Sequence, residues 1–166
     1  DEGRYRVLNN VRQLYAHDVE GLFGCLGEIE QGLIEAAGEF SNDPYWKKLR
    51  LVVVDSIGSL FAPVIGASGQ VAHSQLVSAT HTMQRIATQH HVAFLVCNHT
   101  TGKPSSTGEP DQAALGQTWQ FLPCVSVHLS RVNDEVRCAR VRKSNKAKVG
   151  ATVNFKITSK GVVDDE

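Results

Sequence analysis

A chain of 166 residues, 42% of them apolar and 20% charged, has the size and composition of one globular domain, which excludes a disordered tail or a fibre. No apolar run approaches the roughly 20 residues of a membrane-spanning helix and no charged-then-apolar leader opens the chain, so a soluble, unsecreted protein with no membrane partner is expected. The 17 Lys and Arg balance 17 Asp and Glu, but Arg137, Arg140, Arg142, Lys143, Lys146, Lys148, Lys156 and Lys160 share an acid-free segment, either a solvated face or a surface meeting phosphate.

The first residue is Asp1, which suggests a piece of a longer protein. Residues 11 to 16 (VRQLYA) are β-favouring and predict a strand, and Asp18 is placed to cap a helix. Val19, Leu22, Phe23, Leu26, Ile29, Leu33 and Ala36 then recur at three- and four-residue spacing, the pattern of an amphipathic helix. Ser41-Asn42-Asp43-Pro44 supplies a break. Residues 49 to 54 (LRLVVV) are nearly all apolar, as a central parallel strand covered on both faces would be, and end on Asp55.

A loop holding Pro63, Gly66 and Gly69 is expected next, followed by helical spacing of Leu76, Ala79, Met83, Ile86 and Ala87 up to His90. Residues 92 to 97 (VAFLVC) predict a second buried strand, ending on Asn98-His99. Two such strands joined through a helix make a βαβ unit of an open α/β sheet. Ligands of these sheets bind beyond the carboxyl ends of the strands, where Asp55, Asn98 and His99 would lie.

Residues 100 to 112 (TTGKPSSTGEPDQ) lack periodicity and predict a long loop. Trp119 and Phe121, in an apolar context, read as core rather than as base-stacking platforms. Strand-like runs at 124 to 132, 135 to 142 and 151 to 158, separated by turn signals at Asn133-Asp134 and Lys143 to Lys148, predict antiparallel strands closing the sheet edge. Cys25, Cys97, Cys124 and Cys138 form no C-x-x-C pair and read as small buried thiols rather than a disulfide or metal framework. Neither an internal repeat nor a second domain is evident.

An apolar strand ending in an acid, as in LRLVVVDS, is how P-loop ATPases place a carboxylate near the magnesium ion of ATP, although such an acid can also merely cap a turn. The phosphate-binding string G-x-x-x-x-G-K-[ST] is absent from these residues. Its nearest approach, Gly102-Lys103-Pro104-Ser105, has Cys97 where the first glycine belongs.

Several features in order resemble the RecA-like DNA recombinases. LRLVVVDSIGSLF resembles their Walker B strand, VAFLVCNH the next core strand with its polar end, residues 100 to 112 their second DNA-binding loop, and ALGQTWQFLPCVSVHL the helix and strand that follow. The ALG-x-x-W run and the NH ending are most similar to the eukaryotic D-type recombinase paralogue, and the resemblance spans roughly residues 7 to 163. It implies a RecA-like P-loop NTPase core, α/β, with a mostly parallel central sheet and antiparallel C-terminal strands. Residues 1 to 166 would form a single partial domain, its C-terminal part, without the P-loop.

The resemblance also implies roles. Asp55 would order Mg2+ through water beside ATP, with Ser56 its neighbour, while Asn98 and His99 would sense the γ-phosphate and relay its state to the DNA-binding loop; Asp55 and His99 are the catalytic candidates. Relatives often carry Gln at the place of His99; imidazole reaches less far, which would weaken that relay. RVRKSNKAKVG resembles a stretch that sends cations to a neighbouring subunit's ATP, with Lys143 and Lys146 the candidates.

Thr100, Thr101 and Lys103 are the DNA candidates. A first DNA loop around Ala62 to Ser74 has no Lys or Arg, so DNA binding by this chain alone is expected to be weak. The implied function is that of an ATP-dependent recombinase paralogue in homologous recombination repair in the nucleus. It would bind ATP and single-stranded DNA with other paralogues and the strand-exchange recombinase, and the parent would be a DNA-dependent ATPase that this chain alone is not. The alternatives are a non-catalytic RecA-like scaffold for protein contacts and a RecA-like ATPase of other purpose.

Overall fold

In the computed structural model, which describes residues 10–38, 43–101 and 112–165 apart from the side chains of 67, 68, 101, 112 and 113, Asp18 caps the first helix as expected. Its carboxylate accepts the Gly21 amide at 2.7 Å and opens α1, Val19–Ala37. The apolar stripe buries Val19, Leu22, Leu26, Ile29 and Leu33. Residues 11 to 16 correct the expectation of a strand: they form no regular structure, and no strand among the described residues pairs with them. β propensity without a neighbouring ladder does not make a strand.

Asp43 starts a short helix, α2 (Pro44–Lys48), by accepting the Tyr45 amide at 3.0 Å, with Pro44 in the first turn where its fixed φ suits a helix. That bond, and then the Arg12 guanidinium 2.6 Å away, hold the Asp43 carboxyl below the usual aspartate range. α2 lies close against α1: a Cβ on Gly32 would come within 2.4 Å of the Trp46 ring.

Strands β1 (Leu51–Val54) and β2 (Ala93–Val96) pair in parallel, from Leu51 opposite Ala93 to Val54 opposite Val96. The connection is α3 (Ile57–His90), so the βαβ unit stands as expected. Burial alternates along both strands, however. Val52, Val54, Phe94 and Val96 are half-buried, whereas Leu51, Val53 and Leu95 on the opposite face are 51%, 53% and 54% exposed. The expectation of cover on both faces is corrected accordingly: among the described residues, cover comes from one side.

A second correction concerns the segment after β1. Instead of a loop at Pro63, Gly66 and Gly69, α3 runs unbroken over 34 residues. Ile57, Phe61, Ala72 and Leu76 are all fully buried. The 11-residue step from Phe61 to Ala72 is close to three helical turns, so the buried positions on either side of the glycines share one stripe. Burial of that stripe outweighs the unfavourable propensities of one proline and two glycines. His91, in the left-handed region at φ 55°, ends the helix. Arg85 of α3 grips Glu30 of α1 with both guanidinium nitrogens, Nη2 to Oε2 at 2.9 Å, and holds the Glu30 carboxyl below its ordinary range.

Short strands β3 (Thr100–Thr101) and β4 (Gln112–Ala113) form an antiparallel pair, followed by the six-residue helix α4 (Gly116–Phe121). Trp119 is buried as expected, but Phe121 is 76% exposed. Residues two apart point to different sides of a helix, so both cannot join one core.

The chain divides into two compact units, residues 1–120 and 121–166. The second is a four-stranded antiparallel meander of β5 (Ser126–Arg131), β6 (Val136–Lys143), β7 (Thr152–Thr158) and β8 (Gly161–Asp164), hydrogen-bonded as a sheet of its own. Its register puts Val127, Leu129, Val153, Ile157 and Val162 on one face, all exposed, and His128, Ser130, Arg140 and Asn154 on the other. All four cysteines are free; Cys124 is exposed and the others half-buried, less buried than their apolar neighbours suggested. Among the described residues no helix is long and apolar enough to cross a membrane.

Candidate functional site

Parallel pairing in register carries β1 and β2 to the same end, so the residues that follow each strand meet there. Cys97 donates its amide to the Val54 carbonyl at 2.9 Å, and Ile57 donates to the Cys97 carbonyl at 3.0 Å, which extends the ladder one step beyond the strands. Asp55 and Ser56, joined by a cis peptide, thereby lie beside Cys97, Asn98 and His99. Asp55 is exposed, with no hydrogen bond or ion pair among the described residues.

Ser56 has two tasks. As N-cap of α3, its hydroxyl accepts the Ser59 amide at 3.4 Å, and it also lies 3.1 Å from His99 Nε2. Ser59 Oγ donates back to the Ser56 carbonyl at 2.7 Å and closes the turn. His99 is exposed and its backbone is fully engaged: its amide donates to Asn98 Oδ1 at 2.9 Å and its carbonyl accepts the Ala114 amide at 2.7 Å.

Asn98 Nδ2 donates to the Ala114 carbonyl at 2.8 Å. Thr100 stands opposite Ala113 and Thr101 opposite Gln112 in the β3–β4 pair, so both ends of the predicted 100 to 112 loop are held beside the strand ends. Lys103 and most of that segment lie outside the described residues.

Of the expected residues, Asp55, Ser56, Asn98 and His99 come together, with Thr100 directly following. Lys143 and Lys146 belong to the second unit. There Lys143 Nζ donates to the Phe121 carbonyl at 2.8 Å, and Ser144 Oγ accepts the Lys146 amide at 3.1 Å.

Sequence reading missed Gly58. A Cβ at this position would come 2.6 Å from Asn98 Oδ1 and 3.2 Å from His99 Cδ2, so only glycine leaves the first turn of α3 room against the β2 end. A lone glycine in a helical first turn was the available signal of such a close approach. His73 was missed too: its buried Nδ1 has no hydrogen-bond partner among the described residues.

No cluster of three or more metal-binding side chains occurs among the described residues. A single accessible carboxylate, Asp55, fits a magnesium ion held mostly by water and substrate phosphates, the usual manner of that ion, and does not fit a dedicated protein cage.

The family model described as Rad51 matches residues 4–165. Among curated proteins, the chain is 31% identical over 121 residues to the Dictyostelium discoideum protein "Probable DNA repair protein RAD51 homolog 4", covering 71% of this chain and 33% of that one. It is 34% identical to the DNA repair and recombination protein RadA of Aeropyrum pernix, covering 71% and 38%, and 24% identical to the DNA repair protein RAD51 homolog 4 of Bos taurus, covering 74% and 36%. The chain thus spans about a third of the length of these relatives. Among solved structures, the RadB recombinase is similar in fold, with a TM-score of 0.51 at 24% identity, over 70% of this chain and 51% of that one. With the family model matched across nearly the whole chain and the parallel strand ends arranged as described, the chain belongs to the Rad51 family of RecA-like recombinases.

Proposed function

We propose that the protein carrying this chain is an ATP-dependent recombinase paralogue of homologous recombination repair, working in the nucleus on single-stranded DNA with other paralogues and the strand-exchange recombinase. The observation that carries this reading is the meeting of Asp55, Ser56, Asn98 and His99 at one end of the parallel pair, directly beside both ends of the 100 to 112 segment. A site for nucleotide and a segment for DNA are then joined through a few hydrogen bonds. Names of relatives that refer to DNA repair and recombination support the same reading.

In this proposal Asp55 holds magnesium through water, and Ser56 and Asn98 line the phosphate side. His99 senses the terminal phosphate while bonded to Ser56, and Thr100, Thr101 and Lys103 meet DNA. Bound ATP with its magnesium supplies a phosphoryl group for transfer to water. Lys143 and Lys146 serve a phosphate across a subunit boundary, where fixed cations stabilise charge during transfer. The chain forms one wall of the nucleotide site, as the C-terminal part of a single RecA-like domain, and the phosphate-cradling loop comes from the rest of the protein.

The test is magnesium-dependent ATP binding by the full-length protein purified with a paralogue partner, comparing wild type with Asp55→Ala and with Lys143→Ala/Lys146→Ala. Loss of binding or turnover in the variants is expected. Complex formation without nucleotide binding in the wild type would overturn the proposal and leave a non-catalytic scaffold as the better account.

A further inference from the structure

We propose that Asn98 is a positioning residue that clamps the two ends of the 100–113 segment to the start of α3, and that Gly58 is the seat that keeps its amide in place. The side-chain amide of Asn98 is used at both ends: Nδ2 donates to the Ala114 carbonyl at 2.8 Å and Oδ1 accepts the His99 amide at 2.9 Å. With the Ala114 amide bonded to the His99 carbonyl at 2.7 Å, Ala114 is held through both of its backbone polar groups. The segment therefore leaves β2 and returns to it across one side chain.

Gly58 makes this arrangement depend on α3. A Cβ there would lie 2.6 Å from Asn98 Oδ1, closer than any tolerated contact. The short Asn side chain can yield only by turning its amide, and turning it gives up the Ala114 bond. The first turn of α3, whose cap Ser56 touches His99, and the base of the 100–113 segment thus move as one body. The consequence for DNA binding rests on the function proposed above.

The experiment is amide hydrogen exchange of the full-length protein over residues 112–116, without nucleotide or DNA, in wild type, Asn98→Ala, Gly58→Ala and the double variant. Each single change is expected to speed exchange about fivefold, the effect of losing the one ordinary hydrogen bond, Asn98 Nδ2 to the Ala114 carbonyl, that reaches these residues. The double variant should fall well short of the product of the two single effects, because the alanine at 58 has then lost the group 2.6 Å away and meets only His99 Cδ2 at 3.2 Å. Unchanged exchange in Asn98→Ala, or effects that multiply in the double variant, overturns the clamp.

A second arm measures binding of a fluorescent oligothymidylate with ATP and magnesium. Weaker binding with the same non-additivity at saturating ATP supports the positioning role, and full binding despite an opened clamp overturns it. A wild type that binds no DNA sinks the proposed function instead, while the exchange arm still decides the clamp.

Discussion

The Ser56 hydroxyl lies 3.1 Å from Nε2 of His99, which ties the ends of the two parallel strands together 43 residues apart in sequence. The same hydroxyl caps α3, so one small side chain serves the longest helix and the candidate site at once.

Ser56→Ala should lower the unfolding free energy by about 1 kcal/mol, the usual loss with an N-cap, and free the His99 ring. Urea unfolding of wild type, Ser56→Ala and Ser56→Thr checks it. Threonine should restore most of the loss because it retains the oxygen.

Gly66→Ala should stabilise the protein by about 1 kcal/mol. The residue is exposed within α3, and nothing lies within 4 Å of its would-be Cβ, so alanine gains helix propensity without meeting a neighbour. A fall in thermal midpoint would show instead that residues 63 to 69 leave the helix in solution.

Gly32→Ala should do the opposite despite the same gain in propensity. Its methyl group would enter the Trp46 ring, with contacts of 2.4 to 2.9 Å, and overpacking of this kind costs about 1–3 kcal/mol. Destabilisation accompanied by a change in tryptophan emission is the expected result, and Trp46→Leu should relieve it.

The Glu30–Arg85 pair should make stability depend on pH in one direction. The Arg85 hydrogen bonds lower the Glu30 carboxyl pKa in the folded protein, so the unfolded chain takes up this proton more readily. The contribution is present above the unfolded glutamate pKa and fades as pH falls through the folded value. Thermal midpoints of wild type and Glu30→Gln should therefore differ at neutral pH and converge in acid. Added salt should narrow the gap, because much of Arg85 is exposed to solvent.

What could be read from the sequence was local or periodic. Asp18 followed by a stripe of apolar residues specified both the cap and the buried face of α1, and two Val-rich runs ending on Asp55 and Asn98-His99 specified the parallel pair and the place where its polar ends meet. The misreadings arose where distant packing decides. Proline and glycine at 63, 66 and 69 signalled a break, but the stripe from Phe61 to Ala72 stays in phase across them. Val11 to Ala16 had the composition of a strand but find no neighbour to pair with among the described residues, and the exposed face of β1 and β2 followed from what lies beside the strands rather than from what is in them. Gly58 carried a visible signal, yet its meaning depends on Asn98, 40 positions away, which only the fold brings into contact.

The β3–β4 ladder has one more consequence, for how this region can vary. Bringing two chain ends together is the large entropic step in forming a loop, and here the pairs Thr100 with Ala113 and Thr101 with Gln112 already accomplish it. Beyond that step, doubling the number of residues between the ends costs only about 0.6 kcal/mol. Residues inserted or removed between Thr101 and Gln112 should thus leave the β3–β4 pairing and the fold behind it intact, so length is a property that can drift here at a small cost.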